Sequence, residues 1–426
     1  MYKADMKHQN KGLEDKLLQL YSLNREKTID ISFRPPFLSL LERFGNPHLN
    51  IPPAIHIAGT NGKGSTLAIM KSCIESMGLK SHLYSSPHLH QFNERIIAAG
   101  NMIDDESLEA LIDEALELND SGEVTFFEIT SAMAFSYFSR IKADYTLLET
   151  GLGGRLDCTN VISDPILTII QKISFDHTEY LGETLEQIAL EKAGIMKPGV
   201  PCIIAPQMDM DAVLPVFEKR AKELDVRLYV YGRDWSVEKV AEGVSFSIED
   251  ENFVFPEFSM VGAHQIDNAG AALCALKLLN IFDPDRIAQG LGRVYWPARL
   301  EKISAEPEIW YDGGHNDSAA MALREQIKIW ARQDDKPLSL IVGMKADKDV
   351  FAFLENLLPY ASSLSLVPID AVGVCLKADN LKDLLSQYPH VDFREFNSVN
   401  TVLHNQNDNN LRILICGSLY LASQIA

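Results

Sequence analysis

Ala54-Ile55-His56-Ile57-Ala58-Gly59-Thr60-Asn61-Gly62-Lys63-Gly64-Ser65 is the stretch that decides the fold of this chain. Ala54 to Ala58 is an apolar run of buried-strand length that enters a glycine-rich turn. After Lys63, the apolar residues Leu67, Met70, Ile74 and Met77 recur at helical spacing, and Gly78 ends the run as a C-cap. The order is strand, loop, helix. Glycines there let backbone N–H groups turn toward an anion, and the helix adds its positive end. Lys63 then stands where it would meet the β- and γ-phosphates of a nucleotide. The loop is shorter than the common G-x-x-x-x-G-K-[ST] form. Gly64 follows the lysine and the hydroxyl arrives only at Ser65, so a bound Mg²⁺ needs ligands elsewhere.

Outward from the loop, the same alternation continues. Ser81–Tyr84, 145–148 and 166–170 read as strands; Asp105–Leu118 and 127–138 read as helices. Thr184 and Gln187 stand at capping-box spacing before a helix that Gly194 ends. Strands alternating with helices predict an α/β chain with a parallel sheet covered on both faces. From Gly232 to Phe258 short alternating stretches predict an antiparallel excursion, followed by a helix over 265–279. Trp296-Pro297-Ala298-Arg299 is the expected boundary, dividing the chain into 1–296 and 297–426. Beyond it the rhythm restarts: strands at 309–311, 338–342, 364–367 and 413–416, helices at 317–332, 350–358 and 380–387. A second, smaller Rossmann-like domain is the expectation.

A chain of 426 residues suggests two to three domains. The formal net charge of −20 argues against non-specific binding to nucleic acid or an anionic membrane, so each Lys or Arg inside a motif gains weight. Six scattered cysteines without C-x-x-C spacing read as small buried hydrophobes in a reducing compartment. The N-terminal Met1 to His8 is polar, with no signal-peptide core, and no apolar stretch approaches a membrane span. The expected location is the cytoplasm.

Two further motifs carry chemistry. Tyr145-Thr146-Leu147-Leu148-Glu149 is an apolar strand ending in an acid, which places a carboxylate at the sheet edge where ligands bind. A solvated acid at a strand end is the commoner case. Here Gly151-Leu152-Gly153-Gly154-Arg155-Leu156-Asp157 follows, with glycines that admit close backbone approach and a fork-shaped anion binder in Arg155. Asp176-His177 follows the next strand. A lone histidine is usually structural, but one on the same edge as Glu149 is a candidate ligand.

Together these motifs resemble the folylpolyglutamate synthase and dihydrofolate synthase family, relatives of the Mur ligases. The resemblance rests on His56 to Ser65, Ser85-Ser86-Pro87-His88-Leu89 with Asn93-Glu94-Arg95-Ile96, and Glu149 to Asn160. It rests also on Asp176-His177-Thr178 with Leu181-Gly182, Glu191-Lys192-Ala193-Gly194-Ile195, and Asp312-Gly313-Gly314-His315-Asn316. It spans about residues 30 to 420 in order. It departs from the family at Ala298 (usually Gly), at Cys158 (usually Ala) and in Asp312-Gly313-Gly314-His315, which has a glycine where the family usually has alanine, and it is loose around Ile31-Ser32-Phe33-Arg34.

The resemblance implies a Mur-ligase-like ATPase domain with a parallel sheet plus a smaller C-terminal Rossmann-like α/β domain. It implies an ATP-dependent ligase that joins L-glutamate to a pteroate or folate through an acyl phosphate. It makes Lys63, His177 and Lys192 catalytic. It makes Gly59, Thr60, Asn61, Gly62, Lys63, Gly64, Ser65, Asn268, Arg299 and Asp312 nucleotide contacts. Ser86, Glu149, His177 and a carbamylated Lys192 become the ligands of two Mg²⁺ ions, with K⁺ as a further ion. Phe127, Arg155, Leu156, Asp157 and His315 become substrate contacts, and the enzyme is expected to be a monomer. Two other readings are open. A Mur-type ligase for a peptidoglycan nucleotide usually carries a separate N-terminal domain, for which the 58 residues before Gly59 are too few. A switching NTPase without ligase activity leaves Lys192, Arg299 and the second domain idle.

Overall fold

The sheet that receives the phosphate loop is built from short strands rich in apolar residues, a pattern suited to burial on both faces. The computed structural model describes residues 10–23, 35–119, 122–256, 258–369, 375–406, 408 and 410–425. The N-terminal stretch read as polar and the loosely matching Ile31 to Arg34 lie outside them. The chain divides into two compact units. The larger lies within Met6–Ser259 and Ile266–Tyr295; the smaller comprises Trp296–Ala426 with Met260–Gln265.

In the larger unit the strands are β1 (Ala54–Ala58), β2 (Ser81–Tyr84), β3 (Ile96–Ala98), β4 (Asn101–Met102), β5 (Tyr145–Glu149), β6 (Leu167–Ile170), β7 (Cys202–Ile204) and β8 (Leu228–Val230). Among the described residues they form one sheet in the order β4-β3-β2-β5-β1-β6-β7-β8. From β2 to β8 the pairing is parallel; β3 and β4 are antiparallel additions at one edge. The expectation of a parallel sheet missed that edge. Ala99 and Gly100, both at positive φ, make a turn too short for anything but an antiparallel return. The central strand β1 has β5 and β6 on either side, with Ile57 opposite Glu149 in one register and Ile169 in the other.

The helix Lys63–Ser76 buries Leu67, Ile69, Met70, Cys73 and Ile74, each worth roughly 1.5–3 kcal/mol against exposure. Asp104 caps Asp105–Leu118, and a capping box of Thr125 and Glu128 starts the helix Phe126–Arg140, longer at both ends than its apolar core suggested. The Thr184–Gln187 capping box is present and opens Leu185–Ala193. The excursion is antiparallel as expected: β9 (Trp235–Val240), β10 (Gly243–Ile248) and β11 (Glu251–Phe255) pair in the order β11-β10-β9. All six cysteines are free thiols.

The smaller unit holds β12 (Glu301–Ala305), β13 (Glu308–Tyr311), β14 (Leu338–Val342), β15 (Ala361–Leu366), β16 (Asp392–Glu395) and β17 (Arg412–Cys416). Their order is β12-β13-β17-β14-β15-β16, parallel except for the edge strand β12. Trp310, Leu323, Trp330, Leu340, Leu364 and Leu414 pack in its core. At one margin Arg412 donates to both Glu308 oxygens (2.9 and 3.1 Å) and to Asp334, with its guanidinium 4.9 Å from the Trp330 ring. The expected helices at 350–358 and 380–387 are shorter, Val350–Glu355 and Lys382–Ser386, each flanked by a 3₁₀ turn. Among the described residues, no helix is long and apolar enough to cross a membrane.

Candidate active site

In the larger unit, β2, β5, β1 and β6 are neighbours, so the segments that follow their C-terminal ends share one edge of the sheet. β1 delivers Gly59 to Gly62, β5 ends in Glu149, β2 leads to Ser86, and β6 leads to Asp176 and His177. The sequence reading named a residue from each, and the topology brings all four segments to the same side.

The loop is held by its neighbours. Thr60 Oγ1 donates to the Ser174 carbonyl (3.0 Å) and accepts from the Ser174 N–H (3.1 Å); the Thr60 N–H donates to the Lys172 carbonyl (2.9 Å). Asn61 donates to Ser174 Oγ (3.3 Å). Two glycines are required by space. A Cβ at Gly59 would lie 2.6 Å from Gln171 Cβ, and one at Gly62, at φ +91°, would lie 2.4 Å from Asn268 Oδ1. Gly62 caps the helix that Lys63 and Gly64 begin, so its backbone turns N–H groups outward where the helix is positive. The displaced hydroxyl, Ser65, is buried within that helix.

Three charges converge beside the loop. Lys63 Nζ donates to the Gly59 carbonyl (3.0 Å) and stands 3.9 Å from Glu149 Oε1. Glu149 is 6% exposed, and its Oε2 accepts the Ser86 N–H at 3.4 Å. Lys192, 3% exposed on the helix Leu185–Ala193, donates from Nζ to the same Gly59 carbonyl at 3.0 Å. Burial pushes its ammonium down to about 7; Lys63 adds to the effect while Asp176, Asp157 and Glu191 oppose it. Lys192 is therefore buried against the phosphate loop, a placement that its position along the chain does not show. His177, at φ 51°, caps the short helix Thr178–Leu181, its Nε2 3.9 Å from Asp176 Oδ1.

The loop after β5 folds back on the helix that carries Lys192. The Arg155 N–H donates to the Glu191 carbonyl (2.7 Å), and Asn160 donates to the carbonyls of Arg155 and Gly194 (3.0 and 3.1 Å). A Cβ at Gly194 would lie 2.3 Å from Arg155 Cβ, and one at Gly151 would lie 2.2 Å from Phe127 Cζ. Phe127 therefore lies against the loop. Arg155 is exposed and pairs with Glu191 (2.9 Å), and Leu156 is half-buried. Asp157 is buried, and both its oxygens already accept protein donors: the Gly151 and Leu152 N–H groups (2.8 and 2.9 Å) and the Thr159 N–H and hydroxyl (2.9 and 2.5 Å). Sequence did not single out Thr159, which also meets His56 103 residues away, or Gln207, which accepts the Ile173 N–H (2.8 Å) from 34 residues away; each has a partner that only the fold brings near.

In the smaller unit, Asp312 follows β13. Its buried carboxylate accepts the Leu300 N–H (2.9 Å) and the Gly314 N–H (2.7 Å). Burial raises its pKa, and the nearby Arg299 opposes this. The Gly313 N–H donates to the Ala298 carbonyl (2.9 Å), and His315 Nδ1 is 3.3 Å from the Gly313 carbonyl. Asp312, Arg299 and the Gly313–His315 turn thus form one connected group.

Divalent ions fit the donor chemistry of the larger unit. Glu149 and Ser86 are adjacent hard-oxygen donors of the kind Mg²⁺ takes. Among the described residues, no three His, Cys, Asp or Glu side chains group as a metal site.

Residues 57–276 match the Mur ligase middle domain, and residues 299–426 match the dihydrofolate synthetase C-terminal domain. The dihydrofolate synthase/folylpolyglutamate synthase of Bacillus subtilis (strain 168) is 34% identical over 403 residues, 91% of this chain and 92% of that protein. The structure of E. coli FolC in complex with DHPP and ADP matches with a TM-score of 0.87 at 26% identity, over 97% of this chain and 96% of that one. A folylpolyglutamate synthase/dihydrofolate synthase from Yersinia pestis, complexed with AMPPNP and a Mn ion, matches at 0.85 and 26%, over 97% of each chain. The chain belongs to the folylpolyglutamate synthase/dihydrofolate synthase family.

Proposed function

We propose that this protein adds L-glutamate both to dihydropteroate and to tetrahydrofolate, activating the acceptor carboxylate as an acyl phosphate with ATP. As a member of its family the chain is an ATP-dependent ligase. The observation that supports phosphoryl transfer is the convergence of Lys63, Glu149 and Lys192 on the loop Gly59–Ser65, and the two acceptors follow the double name of the Bacillus subtilis relative.

A carboxylate is a poor electrophile in water, so amide formation needs a phosphoryl leaving group. The acceptor carboxylate oxygen attacks the γ-phosphorus and ADP leaves. The glutamate amine then adds to the acyl carbon and gives up a proton, and phosphate departs from the tetrahedral intermediate, carrying with it the carboxylate oxygen that had attacked phosphorus. The protein positions groups and balances charge more than it forms bonds. Lys63 and the loop N–H groups hold the β- and γ-phosphates. Ser86 and Glu149 would hold one Mg²⁺, and His177 with Lys192 would hold a second. These ions, with K⁺ in the same proposal, would supply charge neutralisation at the transferring phosphoryl group.

Lys192 would hold its ion as a carbamate: the neutral amine adds to CO₂, forming an N–C bond and losing one proton. A lysine with a pKa near 7 presents a large neutral fraction at physiological pH, as that addition requires. Phe127 offers a ring face to the pterin beside the Arg155–Asp157 stretch. Asn268, Arg299 and Asp312 are nucleotide contacts and His315 a substrate contact in the same proposal, with 1–296 and 297–426 as the two functional parts. The enzyme is taken to act as a cytoplasmic monomer engaging neither nucleic acid nor membrane, in keeping with its net charge of −20.

The test is a substrate panel. Phosphate release is measured with ATP and glutamate plus either dihydropteroate or tetrahydrofolate. Turnover with both supports the dual reading, and turnover with one alone removes the other activity.

A further inference from the structure

His56 lies in the middle of β1, fully buried, three residues before the phosphate loop, and the ligase chemistry gives it no task. Its Nε2 is 2.8 Å from Thr159 Oγ1. That hydroxyl has one proton, and it goes to Asp157 Oδ1. Thr159 Oγ1 must therefore accept from His56, which fixes the ring as the Nε2–H form. Nδ1 has no hydrogen-bond partner among the described residues, as a bare acceptor in an apolar setting would have. Burial, with Lys197 adding to it, pushes the imidazolium pKa down to about 3, so the ring stays neutral.

The chain of bonds does not end at Asp157. Its Oδ2 accepts the N–H groups of Gly151 and Leu152, and Gly151 is the residue against which the Phe127 ring lies. An ionised carboxylate has about four lone-pair sites, and all four are taken by protein donors. We propose that His56 and Thr159 are positioning residues, which hold Asp157 in one orientation and through it set the Gly151–Leu152 turn against Phe127. This rests on the reading that Phe127 and the Arg155–Asp157 stretch receive the pterin. Under it, acceptor affinity depends on a strand whose own loop serves the nucleotide, although neither His56 nor Thr159 touches the substrate.

The test uses the full chain with Thr159→Val, Thr159→Ser and His56→Gln. Hydrogen exchange is followed at Gly151 and Leu152, alongside KM for the acceptor and for ATP. Thr159→Val deprives Asp157 of one donor and leaves the His56 N–H facing a methyl group. The acceptor KM should rise about tenfold and the two amides should exchange faster, while the ATP KM stays within about twofold. Thr159→Ser keeps the hydroxyl and should restore both. His56→Gln, which offers a donor at similar reach, should fall between them, and serves if the valine variant fails to fold. Unchanged amide exchange in Thr159→Val, or equal rises in both KM values, overturns the inference. Phe127→Ala separates the two claims: if it leaves the acceptor KM unchanged, the pterin reading fails, and amide exchange alone then decides the relay.

Discussion

Replacing Gly62 with Ala puts the phosphate loop under a load that can be worked out from its surroundings. At φ +91° an L-residue pays about 1–2 kcal/mol that glycine does not. The new Cβ would also lie 2.4 Å from Asn268 Oδ1 and 3.4 Å from Gln171 Oε1, and Asn268 is only 5% exposed. Forcing that side chain aside adds about 1–3 kcal/mol, the usual cost of overpacking. The loop can escape both by leaving the arrangement that presents its N–H groups. ATP affinity then falls by the same free energy, about 30-fold at the lower end of the sum and beyond 1,000-fold at the upper. Calorimetric titration with a non-hydrolysable ATP analogue reads this directly. Gly199→Ala is the control: Gly199 has φ +69° with nothing within 4 Å of its Cβ position, so it carries backbone strain alone, away from the loop. It should lower stability by about 1–2 kcal/mol and leave nucleotide affinity alone. Wild-type affinity in Gly62→Ala, or equal loss in both variants, would refute the claim that close packing behind the loop sets its shape.

Gly151→Ala drives a methyl into Phe127 Cζ and should raise the acceptor KM more than the ATP KM in steady-state assays. Ala298 occupies the left-handed region at φ 57° while fully buried, so Ala298→Gly removes strain at some entropic cost and should stabilise the smaller unit by about 0.5–1 kcal/mol on denaturant unfolding. Glu308 gives a pH dependence: burial would raise its pKa, but hydrogen bonds from Arg412, Lys336 and Trp310 prevail and hold it at about 2. A depressed carboxyl stabilises the fold above its ordinary value of 4.5. Up to about 3 kcal/mol is therefore lost as pH falls from there through about 2, a slope that Glu308→Gln should flatten. Lys192→Met should abolish turnover. In the wild type, ¹³C-bicarbonate should give a carbamate carbon resonance that this variant lacks, and its absence from both proteins would remove the modified lysine.

Much of the fold was legible because local signals and burial agree. The apolar runs at Ala54, Tyr145 and Leu338 became central strands, and the Thr184–Gln187 box began its helix where the spacing put it. What escaped was short or broke a local rule. The strand pair β3–β4 spans few residues, and the helix Met210–Leu224 carries Pro215 inside it. The site divides similarly. The loop, Glu149 and His177 announce themselves by type and place along the chain. Lys192 does not, because its meaning comes from depth and from the Gly59 carbonyl, 133 residues away in sequence. Asp157 enters from the sequence only as a substrate contact that the resemblance implies. Only the fold reveals four donors gathered around it, and Thr159 and His56 behind them.

The acyl phosphate is tested most directly by isotope transfer. The acceptor carboxylate is labelled with ¹⁸O, the enzyme turns over with ATP and glutamate, and the released phosphate is examined by mass spectrometry. The expected result is one labelled oxygen in each phosphate, with release requiring acceptor and glutamate together and vanishing in Lys63→Ala. Unlabelled phosphate, or equal release with neither substrate present, would mean that water takes the phosphoryl group and that the site is not a ligase.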